Sequence, residues 1–440
     1  MKKDTFIYHL LFLALFETIN YGQTMSLEEC IKTGLENSRV IALNNSALNQ
    51  NLGKLKETEA MKLPQLKFLA SYSRLSDVPN SEVKVPFSPM PIVLQEAILN
   101  NYALRLNLSQ PLFTGHKISS MGKSVENSLE VLRTENDLLK NDEAVKIISA
   151  YFNLASAKEQ YSIILENITA LEKRLSDANN FYTNGLITKN DILKISVQIS
   201  NLQSKKIDAE TAISSAKALL NLVIGRAVNT PIEIEQFTFN GIETDKNFEI
   251  LKDNADNNRT EFKSLAIKKK VLEENLNIAR AGYLPEIWLN SNLYYTNPSQ
   301  RIFPQKEEFR ATWDVSLNLQ WSVWDWGATS AKVDQASESI NSLSTTKQQL
   351  TDAISNEVYQ NYLQFSSANA KLKNFEITLE QALENYRVTL ENFNAQVATA
   401  ADLLDADTVL FTAKTNLQLA KINLVLSDFK LQKSIGKKLY

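Results

Sequence analysis

The ten prolines of this 440-residue chain are unevenly distributed, and this distribution limits the possible fold more than any other feature. They fall in three places, at positions 64–111, 231 and 285–304. Residues 112–230 and 305–440 therefore contain no proline. Because proline inside a helix costs about 3 kcal/mol or more, both blocks permit very long helices. Residues 115–181 alone predict a continuous helix on the order of 100 Å long.

These long helices are rich in small and polar residues as well as leucine. Segments such as Ala212–Leu222 and Asn361–Lys373 mix Ala, Ser, Asn and Gln among their apolar residues. A wide apolar stripe would indicate a helix with one buried face. The narrow, interrupted stripes seen here suit the wall of a hollow helical tube, and they suit a loose antiparallel coiled coil equally well.

Composition excludes several classes of function. The 47 Lys and Arg against 50 Asp and Glu give a net charge of -3, so the chain has no basic footprint for nucleic acid. One cysteine cannot form an intrachain disulfide, and two histidines cannot build a His-rich metal site. No nucleophile–base set or phosphate loop stands out. The sequence predicts no enzyme, no metal and no cofactor.

The N-terminus predicts export. Lys2 and Lys3 precede the apolar run Phe6–Phe16, and small or polar residues follow at 20–23. This order is typical of a secretory signal peptide, here assigned to residues 1–23. The run is too short to span a bilayer as a helix. An interfacial anchor or the start of a buried helix is the alternative interpretation.

The second half of the sequence restates the first. Matching residues recur at an offset of 211, and at an offset of 221 nearer the start of each half. We therefore expect a first repeat over 24–228, a linker with one short strand over 229–247, and a second repeat over 248–440. Each repeat should read helix, strand, loop, strand, very long helix, turn, helix.

The strand pairs of the two repeats predict contact with a bilayer. Strands are expected at about 65–76, 102–113, 286–296 and 312–324, with outer loops at Pro79–Asn100 and Asn297–Phe309. The second strand of each pair alternates apolar and polar residues over about ten positions, which is the span of a tilted transmembrane strand. The tryptophans predict an interfacial aromatic girdle: Trp288, Trp313, Trp321, Trp324 and Trp326. A soluble, half-buried sheet with tryptophans in its core is the alternative.

Four strands cannot close a barrel in lipid, where about eight is the practical minimum and open edges are not tolerated. Other copies of the chain must complete the sheet, two copies giving eight strands and three giving twelve. Helices that continue from the strands of a closed ring would form a tube next to the barrel.

This pattern resembles the TolC-type outer-membrane efflux proteins of Gram-negative bacteria. Two helix–helix turns are its best local motifs, Tyr182–Leu193 (YTNGLITKNDIL) and Val397–Ala406 (VATAADLLDA). The resemblance covers essentially the whole chain after the signal segment. It implies a mainly α fold with a transmembrane β-barrel, in which a trimeric α-helical tunnel is continuous with a 12-stranded barrel of four strands per chain. It also implies a long periplasmic part, a periplasmic adaptor and, through the adaptor, an inner-membrane pump.

The resemblance assigns roles to residues of the two turns. Asp402 and Asp405 match the aspartates that constrict the tip of such channels, so they are the expected gate. The arginine found at the tip of the family's channels would align with Ala398 here. Closure of the tip is therefore expected to rely on threonine, Asn190 or packing. Adaptor contact is expected at the turns themselves: Gly185, Leu186, Thr188, Asp191, Gln396 and Thr399.

A structural interpretation of the same acids stands beside the functional one. Thr188 with Asp191, and Thr399 with Asp402, each fit a capping box at a helix start. Asp405 lies one turn further along, where capping does not need it. Three copies of Asp402 and Asp405 in one constriction would disfavour full ionisation, raise the apparent pKa values of the set and attract cations.

The sequence therefore predicts a passive outer-membrane exit duct of a tripartite efflux or export system. An exported structural spacer of the cell envelope is the first alternative, and the alternating strands flanked by tryptophans argue against it. An exported carboxylate enzyme is the second, and it would be expected to have a compact domain richer in glycine and proline.

Overall fold

The computed structural model describes residues 24–87 and 89–440. The predicted signal peptide, residues 1–23, lies outside the described residues. The chain divides into two compact units. Unit 1 comprises the described residues up to Arg39 together with Leu139–Ala255 and Asn356–Tyr440. Unit 2 comprises Val40–Leu138 and Asp256–Ser355.

Eight α-helices account for most of the described residues: α1 Leu27–Asn37, α2 Arg39–Ala60, α3 Lys117–Thr183, α4 Lys189–Val223, α5 Phe248–Asn258, α6 Thr260–Arg280, α7 Ala328–Asn394 and α8 Ala400–Ser434. The predicted very long helices are confirmed, since α3 and α7 contain 67 residues each. They begin 211 residues apart, as do α4 and α8, which contain 35 residues each. None of the described helices combines the length and the apolar content needed to cross a membrane.

The first helix of each half differs from the sequence prediction, because each is split into two. The backbone leaves the helical region at Ser38, between α1 and α2 (ψ 119°), and at Arg259, between α5 and α6 (ψ 121°). Both residues are buried, and each has a polar partner that compensates the break. The Ser38 hydroxyl donates to Glu143 Oε2 at 3.3 Å, and Arg259 Nε donates to Glu261 Oε2 at 3.0 Å.

Within the described ranges, eight strands form three sheets: β1 Thr24–Met25, β2 Gln65–Arg74, β3 Ser81–Val83, β4 Ile92–Gln95, β5 Asn100–Phe113, β6 Glu233–Ile234, β7 Glu286–Asn297 and β8 Arg310–Gln320. The main sheet is antiparallel with the order β2-β5-β7-β8, which confirms four strands close to the predicted positions. The short strand expected in the linker is β6, which pairs in parallel with β1.

Two details of the strands differ from the prediction. The first long loop contains the hairpin of β3 and β4, and Gln95 of this hairpin exchanges two hydrogen bonds with the backbone of Gln305 in the second loop, at 2.8 and 2.6 Å. The last strand ends at Gln320, short of residue 324. It ends there because Asp325 starts α7 by accepting from the backbone N–H groups of Gly327 (3.1 Å) and Thr329 (2.8 Å).

The largest hydrophobic core lies in unit 1. Residues from α1, α3, α4, β6 and α8 form it, and the apolar middle of α3 supplies most of them: Ala144, Ile147, Ile148, Tyr151, Phe152, Leu154 and Ala155. Cys30 of α1 is fully buried in this core. Burial raises the pKa of its thiol to about 11, so the thiol stays protonated.

Candidate functional site

The turn between α3 and α4 is closed by a left-handed glycine. Gly185 has φ +71°. Its N–H donates to the Tyr182 carbonyl at 2.9 Å, and the N–H of Leu186 donates to the Phe181 carbonyl at 2.9 Å. This pair of bonds is a Schellman motif, which satisfies carbonyl groups left over at a helix end. Gly185 is therefore the C-cap glycine of α3.

The turn between α7 and α8 has the same geometry without a glycine. The N–H of Gln396 donates to the Phe393 carbonyl at 3.0 Å, and that of Val397 to the Asn392 carbonyl at 2.8 Å. Gln396 therefore takes the left-handed position, with φ +64°. A side chain with a Cβ rarely adopts this conformation, so the second turn carries backbone strain that the first does not.

Both predicted capping boxes are present. The backbone N–H of Thr188 donates to Asp191 Oδ2 at 3.1 Å, and that of Thr399 donates to Asp402 Oδ2 at 2.9 Å. In return each threonine hydroxyl accepts from the backbone N–H of its aspartate. The Thr399 hydroxyl also donates to Asp402, and these donors hold the pKa of the Asp402 carboxyl below its ordinary value. The pKa rise expected for a ring of three copies is a separate effect and stays a prediction.

Asp405 has no part in the cap. It is exposed on α8, one turn after Asp402, which is exposed as well. Asp405 lines a cleft of about 430 Å³ between α4 and α8, together with Asn190 and Lys194. One chain thus presents two exposed carboxylates in the first two turns of α8.

The two turns lie close together in unit 1. The rings of Phe181 and Phe393, the last phenylalanines of α3 and α7, pack edge to face with centroids 6.0 Å apart. Phe393 is buried against Ala400 and Leu403 at the start of α8. This packing brings the end of α3 next to the end of α7 and the start of α8. The gate and adaptor roles of the turn residues stay predictions.

A buried carboxyl group lies beyond the turns near a half-buried arginine, and the sequence interpretation missed both. Asp407 of α8 is 5% exposed, and burial raises the pKa of its carboxyl while the nearby Arg174 guanidinium opposes the rise. Burial lowers the pKa of Arg174, whose guanidinium also lies 4.7 Å from the Tyr386 ring centre. Asp407 lies between the buried Leu403 and Leu410 at helical spacing. An acid at this position in an apolar stripe was the sequence signal that could have predicted its burial.

The main sheet, in unit 2, has one apolar and one polar face. Its register places large apolar side chains on one face, where they are exposed in the single chain: Leu66, Phe68, Leu106, Leu108, Leu289, Leu293, Val315, Leu317 and Leu319. The opposite face carries Lys67, Arg105, Asn107, Asn292 and Asp314. An exposed apolar sheet face of this extent indicates a surface that another apolar phase covers.

The five tryptophans predicted to form one girdle lie at three different places on or beside the main sheet. Trp313 lies on the apolar face and is 73% exposed. Beyond the end of β8, Trp321, Trp324 and Trp326 are also exposed. The prediction for Trp288 is wrong, because this residue does not lie on the apolar face. Strand alternation places it with Asn290 and Asn292 on the polar face, directly opposite Asn318 of β8.

A second aromatic group was missed by the sequence interpretation. At the end of the apolar face next to the long loops, four rings form a chain of contacts: Tyr72, Tyr102, Phe309 and Tyr295. Trp321, Trp324 and Trp326 lie at the other end, beyond β8. Aromatic residues therefore flank the apolar face at both ends, as membrane interfaces require. Tyrosine spacing across neighbouring strands was the signal that could have revealed the group.

No group of three or more His, Cys, Asp or Glu side chains within 24–87 and 89–440 could hold a metal ion.

Because only the second turn is strained, exchanging the residue type at the left-handed position should affect stability in opposite directions in the two turns. Gln396→Gly should raise stability by up to about 1 kcal/mol, and Gly185→Gln should lower it by a similar amount. A Cβ added at Gly185 meets no atom within 4 Å, so crowding does not contribute to its cost. The thermal unfolding midpoint of the purified protein, followed by far-ultraviolet circular dichroism, is the measurement. Shifts of the same sign for both variants would contradict the assignment of strain to Gln396.

Comparison with known proteins agrees with this architecture. The family model described as "Outer membrane efflux protein" matches residues 31–226 and 251–437. The alkaline protease secretion protein AprF of Pseudomonas aeruginosa is 24% identical over 373 residues, covering 82% of this chain and 73% of that protein. The outer membrane protein TolC of Vibrio cholerae is 20% identical over 294 residues, covering 66% of this chain and 67% of that protein.

A solved structure shows the same fold. The crystal structure of the outer membrane protein VceC from Vibrio cholerae superposes with a TM-score of 0.73 at 15% identity, covering 94% of this chain and 97% of that one. The matched family segments span both sets of long helices and all four strands of the main sheet. The chain therefore belongs to the outer membrane efflux protein family, the TolC-type family that its turns resemble, and its place is the outer membrane.

Proposed function

We propose that three copies of this chain form the exit duct of a tripartite efflux or export system. The observation that carries this proposal is the four-stranded sheet, whose exposed apolar face is flanked by aromatic residues and whose outer strands β2 and β8 each have an unpaired edge. Unpaired edges are not tolerated in lipid, and four strands cannot close a barrel. Three sheets joined edge to edge would give twelve strands and no edge.

The apolar face would then contact lipid and the polar face would line the lumen. The embedded segments would be about 65–76, 102–113, 286–296 and 312–320, the last ending with β8. The loops at Pro79–Asn100 and Asn297–Phe309 would lie outside the cell. The aromatic residues at the two ends of the face would lie at the two membrane interfaces. The long helices that follow β5 and β8 along the chain would form a periplasmic tunnel.

The two helix–helix turns would form the periplasmic tip of the tunnel. A periplasmic adaptor would engage Gly185–Thr188 and Gln396–Thr399, and it would link the duct to an inner-membrane pump. The cleft between α4 and α8 is an exposed recess next to both turns, which supports contact with a partner there. Asp402 and Asp405 would constrict the closed tip.

The duct itself would catalyse nothing and would conduct its cargo passively. Membership of a family of channel proteins supports this passive role. The sequence supports it as well, because no catalytic set of residues stands out in it. The name of AprF supports an export role beside efflux, because that relative covers more of this chain than TolC does.

The oligomeric state tests the proposal most directly. The detergent-solubilised protein should have three times the mass of the processed chain, measured by light scattering corrected for detergent. Protease added to intact cells should cut within residues 79–100 or 297–309. A monomeric mass, or cuts confined to the turns at Gly185 and Gln396, would contradict it.

A further inference from the structure

The polar face of the main sheet carries a continuous hydrogen-bonded row across three strands. Asn292 of β7 is buried, and its Oδ1 accepts from Arg105 Nε at 2.9 Å, Arg105 Nη2 at 2.7 Å and Asn107 Nδ2 at 2.7 Å. Its Nδ2 donates to Asp314 Oδ1 of β8 at 2.8 Å. Because a buried amide with these bonds cannot turn, the row fixes the position of the Arg105 guanidinium.

A second arginine reaches the row from a loop. Arg301 follows β7, forms an ion pair with Asp314 and donates from Nη1 to the Trp313 carbonyl at 3.2 Å. Its guanidinium lies 4.4 Å from the Tyr294 ring centre, and that of Arg105 lies 5.4 Å from the same centre. The one acid of the row is thus neutralised by Arg301 and is not available to Arg105.

Among the described residues, two cations on this face lack an acidic partner. Arg105 Nη1 makes no hydrogen bond with any residue in the described part of the chain, and neither Arg105 nor Lys67 forms an ion pair there. Lys67 of β2 is directly opposite Asn107, two positions along β5 from Arg105. Diagonal neighbours at this spacing are about 7–8 Å apart, within reach of long side chains.

We propose that Arg105 and Lys67 form an oxyanion-binding site on the lumen face of the barrel. This inference rests on the proposed function, because that function makes the polar face a lumen wall. The ligand class is a carboxylate or phosphate group, to which a guanidinium presents parallel N–H donors and an ammonium a point charge. In a trimer the site occurs three times around the lumen.

The site gives the duct a substrate preference in its barrel. Cargo that carries a carboxylate or phosphate would be held transiently at the three sites, and neutral cargo would pass without this contact. This preference is opposite in sign to the one predicted for the acidic tip. The two ends can therefore be tested separately by adding an anion to one side of a bilayer.

Inorganic phosphate is the probe. Wild-type channels in planar bilayers should lose current when phosphate is added on the barrel side, and lose less when it is added on the tip side. Arg105→Gln should raise the half-blocking phosphate concentration about tenfold, because a charge-assisted contact is lost. Lys67→Gln should raise it as well, and Arg105→Lys should fall between wild type and Arg105→Gln.

Arg310→Gln is the matched control. Arg310 lies on the same face, opposite Thr296, but it is paired with Glu308 at 2.6 Å, so its loss should leave phosphate block unchanged. An unchanged block in conducting Arg105→Gln and Lys67→Gln channels, or an equal change in Arg310→Gln, would overturn the site alone. If Arg105→Gln fails to assemble, Arg105→Lys and Lys67→Gln decide the question. Wild-type protein that forms no channel would overturn the proposed function and the site with it.

Discussion

Channels in which Asp402 and Asp405 are both replaced by asparagine should lose the cation preference of the wild-type duct. Each acid is exposed in the first two turns of α8, so a trimer brings two carboxylates from each copy to the tip. One unit charge about 8 Å from a permeating ion contributes roughly 0.5 kcal/mol even in water. Removing all of them should lower the ratio of potassium to chloride permeability about tenfold, read from reversal potentials in a salt gradient.

Acid should have the same effect as the substitutions. The Thr399 donors lower the pKa of the Asp402 carboxyl. The contribution of this cap to stability is therefore fully present above the ordinary aspartate pKa, and it is lost as the pH falls through the lowered pKa of the folded protein. In the trimer, repulsion between neighbouring carboxylates acts in the opposite direction. Cation preference should therefore disappear over a broad acid range, and the double variant should show no such titration.

Asp191→Asn is the matched control for this experiment. Asp191 caps α4 and Asp402 caps α8 with the same geometry. Asp191→Asn and Asp402→Asn therefore remove equivalent caps. Asp191→Asn should lower helix stability like Asp402→Asn and leave selectivity nearly unchanged. Asp405→Asn should change selectivity without loss of a cap. If all three variants change selectivity equally, the acids act through folding and are not a gate.

The long helices and their caps could be predicted from the sequence because their signals are local. Freedom from proline over residues 117–183 and 328–394 is sufficient for two continuous helices of equal length. Capping boxes need two residues at a fixed spacing, and both were found where Thr188 and Thr399 predicted them. The second strand of each pair was located for a similar reason, since alternation over about ten residues is visible in the sequence alone.

Features that depend on contacts distant in sequence were predicted less well. The break at Ser38 is accompanied by a hydrogen bond to the buried Glu143, 105 residues away, which no local pattern shows. Gln396 takes a left-handed conformation because the packing of Phe393 and Leu403 fixes the turn, although its residue type gives no warning. Trp288 was assigned to the girdle by its place in the second strand pair, whereas its face is decided by the register of β7 against β8.

Arginine substitutions at two adjacent positions of β8 should have opposite consequences for assembly. Val315 lies near the middle of the strand on the apolar face and is 58% exposed in the single chain, and Ser316 lies on the polar face opposite Asn290. If the apolar face contacts lipid, Val315→Arg places a charge near the bilayer centre, at a cost of about 2–4 kcal/mol in each copy. Ser316→Arg places the same charge in a water-filled lumen.

Val315→Arg should therefore abolish recovery of trimers from outer-membrane fractions, measured by heat-modifiable migration on gels. Ser316→Arg should assemble like wild type and shift conductance toward anions, because it adds a cation to a face that already carries Arg105 and Lys67. The two variants share strand, depth and added side chain, so the arginine itself and its depth along the strand cannot account for a difference between them. Normal assembly of Val315→Arg together with failure of Ser316→Arg would mean that the polar face is the one covered in the assembled protein, and the sheet would not be a lipid-facing barrel wall.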